Sequence, residues 1–301
     1  MLEGSALIGA FGAINSNTVG TSLVEHLGGA AWMVAMMPMA SNMGFALGPI
    51  LVAHHMDRQK QFLPVLRRMV PVSRVPVLVT ALTLWWFGSG PVALWTVLLG
   101  TVLYGVLGGL TVGAWQQLVA RTVLPAKRSS MFSIRYGLSN VLGLLSGALV
   151  TLVLARWPGT DGYALLYLVA FAGAVLSYRL LIALREPRGA SLAPLPKHGF
   201  WQNLRDVPSL FRADSRLGKY LASAVLFNFQ FLLMGFLALH ARNVLGASES
   251  YVGTLTTAQM SGAVLGTVIA ALLGDRHGSR RLLIAARIVL VLVALGAAFA
   301  D

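Results

Sequence analysis

The basic residues of this chain are sorted. Long apolar stretches, about nine of them and each close to the ~20 residues that a membrane-crossing helix needs, alternate with short polar connections, and Lys and Arg crowd into every second connection. Of the 23 Lys and Arg, only Arg156 and Arg242 fall in the connections of the other set. Folding in water gives no reason for such sorting. Insertion into a bilayer does, because basic loops are retained on the cytoplasmic side. The pattern restricts the chain to an all-α integral membrane bundle and lets its two faces be assigned.

Composition agrees. The chain is 56% hydrophobic and 11% charged, with a mean hydropathy of +0.74, whereas soluble domains carry roughly 25% charged residues. A net charge of +13 would suggest nucleic acid if it formed one continuous surface. Here membrane-length segments break it into short loops, so the lipid bilayer and its anionic headgroups are the expected partner, and nucleic acid is not. With Cys at 0, disulfides and thiolate metal sites are ruled out. The first apolar stretch starts almost at Met1, without a basic leader or a clear cleavage site, and reads as a retained helix.

The expected spans are 5–27, 31–53, 69–88, 92–118, 131–155, 162–184, 218–242, 251–273 and 282–300. Arg58, Lys60, Arg67 and Arg68 follow the second span, and Arg121, Lys127 and Arg128 follow the fourth. The longest connection, 185–217, carries Arg185, Arg188, Lys197, Arg205, Arg212 and Arg216, and Arg276, Arg280 and Arg281 follow the eighth span. These connections are expected on the cytoplasmic side, with the N-terminus, and Glu25, Asp161 and Glu249 on the other. The setting expected is a cell membrane, as in the bacterial inner membrane. Pro187, Pro194, Pro196 and Pro208 mark 185–217 as a linker. It divides the chain into a six-helix half (1–184) and a three-helix part (218–301). Phe200, Trp201, Leu204, Val207 and Leu210 recur at near-helical spacing, so an interfacial helix is expected within 200–213.

The two parts share a feature. His55-Met56-Asp57-Arg58-Gln59-Lys60-Gln61 follows the second span, and Gly274-Asp275-Arg276-His277-Gly278-Ser279-Arg280-Arg281 follows the eighth. Asp275 lies as far beyond Asp57 as the seventh span lies beyond the first, to within a few residues. On these residues the chain resembles the major facilitator superfamily (MFS) of secondary transporters. The second run is similar to that family's loop signature, Asp-Arg-x-Gly-Arg-Arg, with one position shifted. The first keeps Asp57 and Arg58 but has Gln59-Lys60-Gln61 where Gly and Arg are usual. Arg185-Glu186-Pro187 also resembles the start of the family's central loop.

The resemblance implies an MFS-like helical bundle of six helices plus the first three of a second six-helix half. It also implies a truncated chain that inserts but does not by itself catalyse coupled transport, a natural nine-helix protein being the alternative. Asp57, Arg58, Asp275, Arg276, Gly278 and Arg280 would form a conformational latch, with Asp275 facing the start of the fifth helix near Met131. The bland reading of the arginines is orientation alone. Gly278 suits a tight turn, and an acidic group suits a helix N-terminus.

Polar side chains at membrane depth face other helices or water. Asn15, Ser16, Asn17 and Thr18 sit midway along the first span, with Asn15, Thr18 and Ser22 expected on one face. Asn42, Asn140, Asn228, Gln230, Thr254, Thr257 and Gln259 lie in later spans. By the family's fold, helices one, two, four, five, seven and eight line the central cavity while three, six and nine lie outside. Asn15, Thr18, Asn42, Asn140, Asn228, Gln230 and Gln259 are therefore the substrate-cavity candidates. Arg74 and Arg135 either bind an anion or snorkel to the nearby interface, the latter being favoured. Trp85, Trp86 and Trp95 read as an aromatic belt, and Trp115 as belt or cavity wall. Small-xxx-small stripes at Gly44/Gly48, Gly105/Gly109/Gly113, Gly143/Gly147 and Gly262/Gly266 permit close helix approach. The family implies that Gly44, Gly48 and Asp57 make their usual contacts across the domain interface, in the part of the bundle expected to be missing.

The function implied is secondary active or facilitative transport of a small solute, by alternating access to a site between two halves. The alternative is a non-transporting protein of the same fold: a receptor, a scaffold or an inactive fragment. No Asp or Glu lies mid-span, so a coupling ion (H+ or Na+) is left open. With no catalytic constellation, nucleotide loop or metal-ligand cluster, neither an enzyme nor a cofactor is expected, and His54-His55 reads as interfacial.

Overall fold

A computed structural model describes residues 2–56, 59, 61–186, 205, 208–209, 215–228, 240, 246, 248, 250–277 and 279–298. The helices are α1 (Leu2–Gly12), α2 (Val19–His26), α3 (Ala31–Met56), α4 (Leu63–Phe87), α5 (Pro91–Thr122), α6 (Pro125–Arg156), α7 (Thr160–Ile182), α8 (Ser215–Asn228), α9 (Tyr251–His277) and α10 (Ser279–Ala298). Five segments within them are long and apolar enough to cross a membrane: Leu63–Phe87, Pro91–Thr122, Ile134–Arg156, Thr160–Ile182 and Tyr251–Ile269. No strand occurs among the described residues. Of 200–213, only Arg205, Pro208 and Ser209 are described, and the expected span 218–242 is described only to Asn228.

The first expected span is not one helix. It stops at Gly12 and resumes at Val19. The reason lies in the run Asn15-Ser16-Asn17-Thr18, four residues whose side chains compete with the backbone for its hydrogen bonds. The Asn15 side-chain oxygen accepts the Asn17 N–H at 2.8 Å, and the Asn15 carbonyl accepts the N–H groups of Thr18 and Gly20. The face expected from i, i+3, i+7 spacing across Asn15, Thr18 and Ser22 therefore does not exist. Ser22 instead meets the Tyr163 hydroxyl at 2.8 Å. Helix α2 ends in a Schellman motif: Gly28 takes φ 77°, its N–H bonds the Glu25 carbonyl, and the Gly29 N–H bonds that of Val24.

Other boundaries moved outward. Helix α4 starts at Leu63 rather than 69, and α6 at Pro125 rather than 131, with Pro in the first turn of each. Arg67 and Arg68 thus belong to a helix, and Arg67 donates to the Ile182 carbonyl at 2.8 Å.

Packing runs in the order α3, α5, α4, α7, α1, α6, α9, each against the next. The α3–α5 seam is glycine against glycine. A Cβ added at Gly44 would meet the backbone of Gly105 and Val106, and one at Gly48 the backbone of Gly109 and Leu110. This corrects the expectation that Gly44 and Gly48 await partners in another domain. Gly113 continues the stripe in sequence but, among the described residues, has nothing within 4 Å of its Cβ position, and the same holds for Gly262 and Gly266. Helix α1 seats on α6 through Gly4, Gly9 and Gly12, opposite Arg135, Leu142 and Ser146.

Hydroxyls inside the helices bond back to their own carbonyls, as in Thr80 to Pro76, Thr101 to Val97 and Thr256 to Val252, which spares them from meeting lipid unsatisfied. Two buried apolar clusters close the ends of the bundle. One joins Leu23, Met37, Leu84, Val97, Leu154 and Tyr163; the other joins Phe62, Leu66, Val70, Leu118 and Leu181. Exposed Trp32, Trp85, Trp86, Trp95 and Trp157 ring the first end, at the turns after α2, α4 and α6. This is the arrangement of an aromatic belt.

Candidate functional site: a cavity beside a broken helix

Between the two apolar clusters lies a cavity of about 570 Å³. The break between α1 and α2 opens into it through Asn15 and Ser16. Its walls also come from α3, α5 and α6, from Met260 of α9, and from α4 and α7. The last two are the third and sixth spans, expected on the outside; here α4 contributes Arg74 and α7 contributes Tyr167.

Arg74 does not snorkel. It sits three turns into α4 because that helix begins at Leu63, and it is only 7% exposed. Its guanidinium lies 5.9 Å from the Phe11 ring centroid and beside the Tyr104 hydroxyl. Phe11 stacks on Tyr104 at 4.6 Å, and Phe45 meets Tyr104 edge-on at 5.6 Å. Arg135 stacks over Trp115, 4.2 Å from the ring centroid, in space that Gly4 leaves open. Trp115 is thus a cavity wall. Glu3 also lines the cavity and accepts the Ser177 hydroxyl at 3.3 Å.

At the break, residues from before and after the 185–217 connection meet. The Asn15 amide donates to Gln259 at 3.0 Å, Thr18 and Thr256 share a buried hydroxyl pair at 2.6 Å, and Asn140 donates to Thr267 at 3.2 Å. Around these bonds α6 and α9 approach through small residues. Gly143 faces Met260, Gly147 faces Thr257, and Gly253 faces Thr151.

Not every expected site residue joins this group. Asn42 is exposed and donates to the carbonyl of Pro38 at 2.8 Å on its own helix. Asn228 ends α8, but its side chain, like Gln230 altogether, lies outside the described residues. Asp57, Arg58 and Gly278 lie outside them too. Asp275 and Arg276 are in α9 and Arg280 in α10, with side chains outside the description.

The opposite, arginine-rich end holds a cluster that sequence reasoning passed over. The Glu186 carboxylate accepts the N–H of Phe62 at 2.9 Å and of Leu63 at 2.9 Å, and pairs with Arg121 at 3.2 Å. Arg121 stacks on Phe62 at 4.5 Å from the centroid. Phe62 has no side-chain oxygen to cap α4, so a carboxylate 124 residues away does so. That position also favours negative charge through the helix macrodipole. The available signal was an acid directly after a span, between Arg185 and Pro187.

The family model of the Major Facilitator Superfamily matches residues 5–301, and the chain belongs to that superfamily. No curated protein and no solved structure matches it. The fold is an all-α, multi-pass membrane bundle, and the protein is a membrane transporter in the general sense of its family.

Proposed function

We propose that the protein moves a small solute by alternating access, with the cavity beside the α1–α2 break as its binding site and the α6–α9 contact as the surface that shifts. One observation carries this reading. A polar junction, Asn15–Gln259 and Thr18–Thr256, ties the wall of a solute-sized cavity to a helix from the other side of the central connection. Motion of α9 against α6 would then alter the cavity. Polar groups at membrane depth are costly and mark such pathways. Residues 1–301 in proteoliposomes are put through a broad uptake and efflux screen: saturable flux of at least one solute supports this reading and overturns the expectation of a truncated chain that inserts without transporting. Solute binding with no flux of any solute would sink the transport reading and favour a receptor.

The orientation proposed puts the arginine-rich end in the cytoplasm, as retained basic loops require. In this cysteine-free chain, Ser248→Cys should react with an impermeant thiol reagent added to sealed cells, and Ser191→Cys should not. The reverse pattern would invert the topology.

A further inference from the structure

The cavity holds more positive charge than its own walls neutralise. Its charged lining residues among those described are Arg74, Arg135 and Glu3, two guanidiniums against one carboxylate. The Nε atoms of both arginines are buried with no hydrogen-bond partner among the described residues, and neither arginine has an ion pair there. A buried charge is costly unless something meets it. A ring lies against each guanidinium and the Tyr104 hydroxyl meets that of Arg74, which leaves the Nε–H of each arginine for an acceptor.

We propose that the cavity binds a small organic monoanion with a flat apolar body. Its carboxylate or sulfonate meets Arg74, and its body lies among Phe11, Phe45 and Tyr104. Arg135 over Trp115 provides a second cationic station in the same cavity. The net single positive charge selects a monoanion over a neutral or cationic solute of the same shape. A volume of about 570 Å³ is ample for a one- or two-ring acid. Such an anion could be a free aromatic acid or the head of an anionic lipid. The inference rests on the transport reading only in calling this ligand a substrate.

The test is binding, measured without flux. The purified full chain in neutral detergent is titrated by calorimetry with 2-naphthoate, 2-naphthylmethanol and 2-naphthylmethylamine. Naphthoate should bind saturably and at least tenfold more tightly than the alcohol, with the amine weakest. Arg74→Gln should lose that tenfold preference and Arg74→Lys should keep part of it. Arg135→Gln serves as the second variant if Arg74→Gln does not yield monodisperse protein. Phosphatidylglycerol that displaces naphthoate with the same arginine dependence would support the anion site and assign it to lipid; no displacement would assign it to the free acid. Equal affinity for acid and alcohol, tighter binding of the amine, or naphthoate binding unchanged in both glutamine variants would overturn the proposal. Anion binding without flux would leave the site standing and remove the transport reading. Flux of neutral solutes without anion preference would do the reverse.

Discussion

Gly48→Ala should cost the folded protein about 3 kcal/mol, near the upper end of what overpacking a filled interior costs. The added methyl has no side chain to push aside: it lands on the backbone of Gly109 and Leu110, so α3 and α5 must separate along the whole seam. Gly262→Ala and Gly113→Ala are the internal controls. Neither Cβ meets anything within 4 Å among the described residues, so each should be neutral or stabilising by about 0.5–1 kcal/mol through helix propensity alone. Thermal unfolding of the three variants in one detergent compares them directly. Equal melting temperatures for Gly48→Ala and Gly113→Ala would refute the seam.

Glu186→Gln should also be damaging, at about 1.5–3 kcal/mol for the loss of charged hydrogen bonds. The substitution keeps the shape and one acceptor for the N–H groups of Phe62 and Leu63. It removes the charge that Arg121 meets at 3.2 Å, in a pair whose side chains are 8% and 4% exposed. Adding Arg121→Met to Glu186→Gln should recover part of the loss, since the cation that this carboxylate meets is then gone. An unchanged melting temperature for Glu186→Gln, or a double variant worse than the sum of the two, would show that the pair is not what joins α7 to α4 and α5.

Much of the bundle was legible because a bilayer leaves only helices to choose from. Charge sorting and apolar length placed each of α3 to α7, and α9, within several residues. Where the reading fell short, a side chain rather than hydropathy decided the outcome. Arg67 and Arg68 look like loop residues by charge, yet Arg67 reaches the end of α7 and extends α4 by two turns. That extension carries Arg74 from the interface to the centre of the cavity, so one misplaced boundary became a misread arginine. The run Asn15-Ser16-Asn17-Thr18 was noticed for its polarity, but its stronger message was conformational, since four backbone competitors in a row interrupt a helix. The glycine stripes announced close approach without naming partners. Gly44 and Gly48 found theirs in Gly105 and Gly109, whereas Gly262 and Gly266 carry the same spacing and none among the described residues. Glu186 stands out only as an acid at the end of a span, and nothing local in sequence tells that it caps a helix 124 residues earlier.

The interruption at residues 13–18 also has a mechanical meaning. A continuous helix is a stiff rod, and a push at one end arrives at the other. Here the first crossing is two short levers joined by a compliant joint. The joint itself is bonded to α9 through Thr18 and Asn15. The lever before it, Leu2–Gly12, is seated on α6 and α7. In the alternating-access motion proposed above, a tilt of α9 would reach the joint before it reached Leu2–Gly12. The strain would then fall beside the cavity, where Asn15 and Ser16 lie, instead of being spread along the bundle.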